Sequence, residues 1–152
     1  MKLFGAACLA GLLTIASSSL SEAHITIAPT QSFHGATEKY VLRVPSEGKV
    51  ATVAAELEIP EGVIVETVAV PAGWKYEVKR KDDRIVAITW TMNIPAGEFA
   101  EFAFVARNPR EGVEIVWTLR QRFSDGTVSD WTKGPNGIRP TAKTTLRVRP
   151  AQ

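Results

Sequence analysis

Residue types that bind soft metal ions are scarce in this chain of 152 residues, which has one cysteine, two methionines and two histidines. The cysteine is Cys8, which lies in an apolar N-terminal segment. A chain that loses this segment has no disulfide and no thiolate metal site, even in a compartment that permits disulfides. Met1 leaves with the same segment, so Met92 is the one thioether that remains.

Several other signals are missing. The formal net charge is +2, and lysine and arginine are interleaved with acidic residues rather than gathered in a basic stripe, so nucleic acid is not an expected partner. The chain has no glycine-rich phosphate loop, no H-E-x-x-H motif and no G-x-S-x-G motif. Neither histidine has a serine or cysteine placed to suggest a catalytic triad. An enzyme of these classes is therefore not indicated.

The first 23 residues have the pattern of a secretion signal. Lys2 gives a positive start, residues 5–16 form an apolar run too short to span a bilayer, and Ser21-Glu22-Ala23 places small residues at the cleavage site. We expect cleavage after Ala23, although a cut after Ala16 is possible. The expected products are a cleaved signal peptide, 1–23, and a single periplasmic domain, 24–152, without a membrane anchor.

The mature chain is predicted to be all-β, because glycine and proline divide it into short pieces that alternate or are rich in valine, isoleucine, threonine and aromatic residues. No segment as long as an ordinary helix shows apolar residues at helical spacing. Closely spaced short strands indicate a β-sandwich, and residues 133–140 are interpreted as a surface loop. The predicted strands are 24–28, 38–44, 51–59, 63–70, 74–80, 84–91, 99–107, 113–123, 127–132 and 144–149.

His24 becomes the first residue of the mature chain if cleavage follows Ala23. An N-terminal histidine offers its α-amine and its imidazole Nδ1 to the same metal ion, and the two nitrogens close a small chelate ring. A free α-amine has a pKa of about 7.7–8.0, so a metal ion can displace its proton near neutral pH. Nitrogen ligands in a tetragonal arrangement suit copper(II) or nickel(II), and the Irving–Williams order favours copper. The alternative is a surface histidine at which cleavage happens to fall.

A carboxylate is expected to complete the site, and strand geometry nominates Glu47. If strand 24–28 pairs antiparallel with strand 38–44, the end of the second strand returns beside His24, and Glu47 follows that end. The alternative interpretation is a solvated turn carboxylate beside Gly48. Copper(I) prefers thiolate and thioether ligands, which the mature chain nearly lacks, so the bound ion is predicted to be copper(II).

Four further residues bear on this site. Glu56 and Glu58 share one face of a strand, and either could replace Glu47. His34 is interpreted as a turn residue at the far end of the sandwich, which argues against a brace of two histidines. Trp131 follows the turn at 124–126 and precedes a polar loop, so it is expected to be half exposed at one end of the sandwich. The other tryptophans are expected to pack in the core or at its edges; they are Trp74, Trp90 and Trp117.

Six segments carry a further signal, in order along the mature chain: HITIAP, YVLRVPSE, ELEIPEGV, PAGWKYEV, ITWTMNIPAGEFAEFAFVARNP and FSDGTVSDWTKGP. With them the mature chain resembles the YcnI-like copper-binding domain family over essentially its whole length. The resemblance implies a secreted immunoglobulin-like β-sandwich in which a single N-terminal histidine forms a brace that binds copper(II), helped by a glutamate and a nearby tryptophan. Carried over by residue, these are His24, Glu47 and Trp131, with Glu56 as another possible glutamate.

The leading hypothesis is therefore a periplasmic copper(II)-binding protein, not an enzyme, that acts in copper trafficking or homeostasis like a metallochaperone. Its expected partners are the copper ion and other periplasmic copper-handling proteins. Two alternatives stay open: an oxidative copper enzyme of the histidine-brace type, and an immunoglobulin-like interaction module without a metal.

Overall fold

The computed structural model describes residues 24–46, 48–132 and 141–150, and the regular elements within these ranges are eleven β-strands. The predicted signal segment 1–23 and the predicted loop 133–140 lie outside the described residues. The strands are β1 (Thr26–Ala28), β2 (Gln31–Phe33), β3 (Thr37–Pro45), β4 (Thr52–Glu58), β5 (Ile64–Val68), β6 (Lys75–Lys81), β7 (Arg84–Ile94), β8 (Phe99–Arg107), β9 (Glu114–Phe123), β10 (Val128–Trp131) and β11 (Ala142–Arg147).

The strands form two sheets. The smaller sheet has the order β1-β3-β8-β5, and the larger has the order β2-β11-β9-β4-β7-β6. Strands β10 and β11 both pair antiparallel with β9, β10 along residues 119–122 and β11 along residues 114–117. The short strand β2 pairs parallel with β11. The architecture is a β-sandwich, as the sequence predicts.

Alternate residues of both sheets form the core. On β9, Ile115, Trp117 and Leu119 are buried, and the residues between them are partly or fully exposed. Aromatic side chains join the sheets: Trp90 lies 4.7 Å from Phe102 between ring centroids. Full burial of each large apolar side chain stabilises the fold by about 1.5–3 kcal/mol. This packing holds the two sheets together, and with them the edge strand beside which the candidate site lies.

Turn residues define where the strands reverse. Asp82 and Asp83 have φ angles of 49° and 61°, the left-handed conformation that a two-residue hairpin requires. In the turn before β10, the hydroxyl and backbone N–H of Thr127 donate to the Asp125 carboxylate and hold its pKa below the usual value. Both turns fall between consecutive predicted strands, 74–80 and 84–91 in one case and 113–123 and 127–132 in the other. The prediction missed β2, and the other predicted strand ends differ from the observed ones by at most three residues.

Candidate metal centre

The first described residue, His24, is exposed and lies at the edge of the smaller sheet. Strand β1 pairs antiparallel with β3, with Thr26 opposite Arg43 and Ala28 opposite Val41. Two steps further along this register, Pro45 falls opposite His24. The prediction that the end of the second predicted strand returns beside His24 is therefore confirmed. Glu47, the predicted carboxylate ligand, lies outside the described residues.

Trp131 is the aromatic neighbour of His24. Their ring centroids lie 6.3 Å apart, with the ring planes inclined at 51°. Trp131 pairs with Leu119 across β9 and β10, so its indole shares the inner face of the larger sheet. It is 1% exposed. The expectation that Trp131 is half exposed is wrong, because its position in the strand pairing turns it into the core although its chain neighbours are polar.

The indole N–H of Trp131 is directed to a buried amide. It donates to Oε1 of Gln121 at 3.1 Å. An indole nitrogen is a donor only and offers no lone pair to a metal ion. Trp131 is therefore suited to act as a wall behind the imidazole of His24 rather than as a ligand.

Gln121 connects this wall to the end of β3. Its Nε2 donates to the carbonyl oxygen of Pro45 at 2.7 Å and to Oγ1 of Thr52 at 2.7 Å. Thr52 in turn donates from its N–H and its hydroxyl to Oγ of Ser46. Gln121, Thr52 and Ser46 are each no more than 1% exposed. A buried polar network thus lies beneath the His24 edge of the sandwich.

This network is the part of the site that the sequence analysis missed. A signal was present, because the inward positions of β9 run Ile115, Trp117, Leu119 and then Gln121. An amide at the fourth position of an otherwise apolar series indicates a buried hydrogen-bonding group.

The alternative carboxylates point elsewhere. Glu56 pairs with Arg120 on β9, and Arg120 pairs with Asp130 on β10, whereas Trp131 pairs with Leu119. Glu56 and Glu58 therefore lie on the outer face of the larger sheet, opposite to the face that holds Trp131. The prediction that the two glutamates share a face is confirmed, and that face is not the one next to the indole.

His34 lies at the other end of the sandwich, in the turn between β2 and β3, as predicted. The ring nitrogen Nε2 of His34 lies 2.7 Å from the carbonyl oxygen of Gly112. The backbone N–H of His34 donates to the carbonyl of Arg147. Strand β3 runs from the His34 end to the His24 end and has nine residues, which corresponds to about 30 Å. The two histidines are therefore not placed to bind one metal ion.

The described ranges contain no group of three histidine, cysteine, aspartate or glutamate side chains that could hold a metal ion. Met92 is buried on β7. A site at His24 must therefore use other donors, such as the α-amine that cleavage would create, an oxygen ligand or water. These are donors that copper(II) accepts. In the part of the chain that the structure describes, no helix is long and apolar enough to cross a membrane.

Residues 24–151 match the domain family described as "Domain of unknown function (DUF1775)". The chain is 32% identical over 129 residues to the copper-binding protein CutI of Bacillus subtilis (strain 168). That alignment covers 83% of this chain and 63% of CutI, so the chain spans somewhat less than two thirds of its relative.

Two solved structures are similar in fold. An uncharacterized protein from Nocardia farcinica with an immunoglobulin-like fold matches with a TM-score of 0.67 and 28% identity, over 81% of this chain and 97% of that one. A cohesin module from a Clostridium perfringens glycoside hydrolase matches with a TM-score of 0.55 and 14% identity, over 82% and 95% of the two chains. The predicted immunoglobulin-like sandwich is confirmed.

Proposed function

The chain belongs to the DUF1775 family, which confirms its resemblance to the YcnI-like copper-binding domains, and from this premise we propose that the exported protein binds copper(II) at His24. The observation that carries the proposal is the position of His24, exposed at a sheet edge with its ring 6.3 Å from the buried indole of Trp131. The printed name of the relative from Bacillus subtilis supports copper as the metal.

The proposed ligands depend on processing. In the full chain the backbone nitrogen of His24 is part of a peptide bond, and peptide resonance leaves it a poor ligand. Cleavage after Ala23 turns the same nitrogen into an amine, which binds the ion together with Nδ1 of the imidazole. Glu47, which follows Pro45 and Ser46 in the chain, is the proposed carboxylate ligand. The copper ion binds these two nitrogens only when neither carries the proton that would occupy its lone pair, so the amine and the imidazole must both be neutral.

We assign the protein to copper trafficking or homeostasis in the periplasm, in the manner of a metallochaperone, rather than to an enzymatic reaction. An exposed histidine at a sheet edge leaves the ion accessible to other copper-handling proteins. His34, which lies at the opposite end of the sandwich, is not available as the second histidine of an oxidative copper site. Met92 is buried away from solvent, which favours the oxidised ion over copper(I).

The test uses the protein secreted with its own signal, whose first residue is read by N-terminal sequencing. We expect a chain that starts at His24 and binds one copper(II) ion with a tetragonal, nitrogen-containing paramagnetic resonance spectrum. Two variants remove the chelate: His24→Ala, and a chain with one glycine inserted before His24. His34→Ala is the matched control and should bind as the wild type does.

The outcomes separate the alternatives. Unchanged copper binding in both chelate variants would overturn the proposal. A ligand that binds the folded state alone raises stability, so the absence of a thermal shift in excess copper would favour an interaction module without a metal. Turnover of an oxidisable substrate in the presence of reductant and peroxide, abolished by His24→Ala, would favour an oxidative enzyme.

A further inference from the structure

Gln121 places a polar amide in the core, at a position where a hydrophobic side chain would ordinarily be expected. An amide in an apolar interior is unfavourable unless its donors and acceptor are satisfied. All three hydrogen bonds of Gln121 connect different segments: the acceptor receives Trp131 Nε1, and the donors reach Pro45 O and Thr52 Oγ1. A hydrophobic side chain could fill the same volume without these constraints.

The three bonds also fix the orientation of the amide. Trp131 Nε1 is a donor, so it requires the oxygen of Gln121, whereas Pro45 O is an acceptor and requires the nitrogen. A flipped amide would place two donors together and two acceptors together. The indole is consequently held in one position, with its N–H directed at Gln121 and its ring system next to His24.

We propose that Gln121 is a positioning residue for the copper site: it holds the indole of Trp131 against the imidazole of His24 and ties that indole to the end of β3. This inference rests on the function proposed above. Gln121 does not contact the metal ion. It acts through Trp131 on one side and through the backbone of Pro45, which lies opposite His24, on the other.

The far end of the sandwich offers a matched control. Among the described residues, the other buried side-chain amide is Asn108, which is 3% exposed. It accepts from the Tyr40 hydroxyl and donates to Ser32 Oγ and to the carbonyl of Phe33. Replacement of either amide by leucine removes three hydrogen bonds from the core. The two replacements differ in which end of the sandwich loses them.

The experiment compares Gln121→Leu with Asn108→Leu in the secreted protein, using thermal unfolding, copper(II) affinity from competition titration and the paramagnetic resonance spectrum. We expect both variants to unfold at lower temperature. Only Gln121→Leu should weaken copper binding, by about 10–100-fold as for other outer-shell partners, and alter the spectrum. The quenching of tryptophan fluorescence by copper(II) should also change in Gln121→Leu alone.

A double-mutant cycle tests whether Gln121 acts through the indole. Trp131→Phe removes the N–H that Gln121 accepts, so Gln121→Leu should weaken copper binding less in the Trp131→Phe background than in the wild type. If Gln121→Leu alone fails to fold, the double variant, which leaves no unpaired partner between these two positions, is compared with Trp131→Phe: the two should bind copper(II) with similar affinity, because the indole N–H is already absent from both. Equal effects of Gln121→Leu in both backgrounds would overturn the action through Trp131.

Two other results would contradict the inference. Wild-type copper affinity and spectrum in Gln121→Leu would assign Gln121 to stability alone, and equal losses of affinity in Gln121→Leu and Asn108→Leu would assign the effect to the fold as a whole. Both leave the proposed function intact. Failure of the wild-type protein to bind copper(II), or wild-type binding by His24→Ala, would instead overturn the proposed function and this inference with it.

Discussion

The two ends of the sandwich contain the same kinds of side chain but arrange them differently. At each end one histidine is linked to a buried amide through a neighbouring residue. His24 lies against Trp131, which donates to Gln121, and His34 follows Phe33, whose carbonyl accepts from Asn108. At the far end, the His34 ring is held by the carbonyl of Gly112. At the near end, the imidazole of His24 lies against an indole and the residue is exposed. A buried polar network is therefore common to both ends, and the candidate site at the near end is distinguished by the aromatic neighbour of its histidine.

The largest expected difference between the ends is in copper affinity. His24→Ala removes the imidazole from the proposed chelate and should weaken copper(II) binding by more than the roughly 100-fold that the loss of an outer-shell partner can cost. His34→Ala should leave the affinity unchanged. Isothermal titration of both variants measures the contrast, and similar affinities in the two would abolish the distinction between the ends.

A second expected difference is the response to alkaline pH. Burial, followed by the charge of Glu38, raises the pKa of Tyr40 from 10.0 to about 12. The unfolded chain ionises Tyr40 first, so the stability that this residue contributes is complete below pH 10 and is lost as the pH rises towards about 12. The loss amounts to about 2–3 kcal/mol.

Tyr40→Phe isolates this alkaline transition. Urea unfolding at pH 9 and pH 11.5 should show a smaller loss of unfolding free energy in the variant than in the wild type. The near-end network consists of glutamine, threonine, serine and tryptophan side chains, which do not titrate in this range. An identical pH dependence in wild type and Tyr40→Phe would show that the far end is not the titrating region.

A third expected difference concerns two buried tryptophans with comparable hydrogen bonds. Trp117 Nε1 donates to Thr144 Oγ1 at 3.1 Å, and Trp131 Nε1 donates to Gln121 Oε1 at 3.1 Å. Trp131→Phe leaves Gln121 Oε1 without the indole donor and should lower the unfolding free energy by about 1–3 kcal/mol. In Trp117→Phe the Thr144 hydroxyl keeps its bond to the carbonyl of Pro29, so the free energy should fall by about 0.5–1.5 kcal/mol. Only Trp131→Phe should change the copper(II) spectrum. If the spectrum also changed in Trp117→Phe, it would depend on the packing of the whole core rather than on Trp131.

The smallest expected effect is on the far-end turn. His34→Ala removes a hydrogen bond to the carbonyl of Gly112 in an exposed setting, where the freed carbonyl can bond to water. The unfolding free energy should fall by less than about 1 kcal/mol, as measured by urea unfolding at pH 7. A loss of several kcal/mol would mean that the far-end turn contributes to the core.

Much of the fold could be predicted because alternation and turn residues are local. Strand β8 was predicted with its observed bounds, since Phe99–Arg107 alternates between inward and outward positions. Strand β2 could not be predicted in the same way. It has three residues and pairs parallel with β11, which is more than a hundred positions away in the chain, so its pairing depends on the assembled core.

Two parts of the candidate site could be predicted from the sequence: His24 as its first residue, and the end of β3 as its neighbour at the sheet edge. His24 follows from the cleavage pattern, and the return of Pro45 follows from antiparallel pairing. The burial of Trp131 was not predictable, because Asp130 and Thr132 beside it suggest a surface segment, and its partner Leu119 is identified only by the register. For the same reason the sequence shows that Glu56 and Glu58 share a face but not which side of the sheet that face is.

If the protein is exported and cleaved as proposed, the anchoring of β1 affects the order in which the metal site can form. Ile25 and Ile27 are 3% and 2% exposed, so the chain enters the core one residue after His24. Under the proposed cleavage, both nitrogens of the chelate lie at a terminus that is fixed only when those isoleucines are packed. A precursor that still carries its leader would lack the free α-amine. A cleaved chain that has not yet folded would lack the fixed position of His24 beside Trp131. Metal loading would then report that translocation, proteolysis and folding had all been completed.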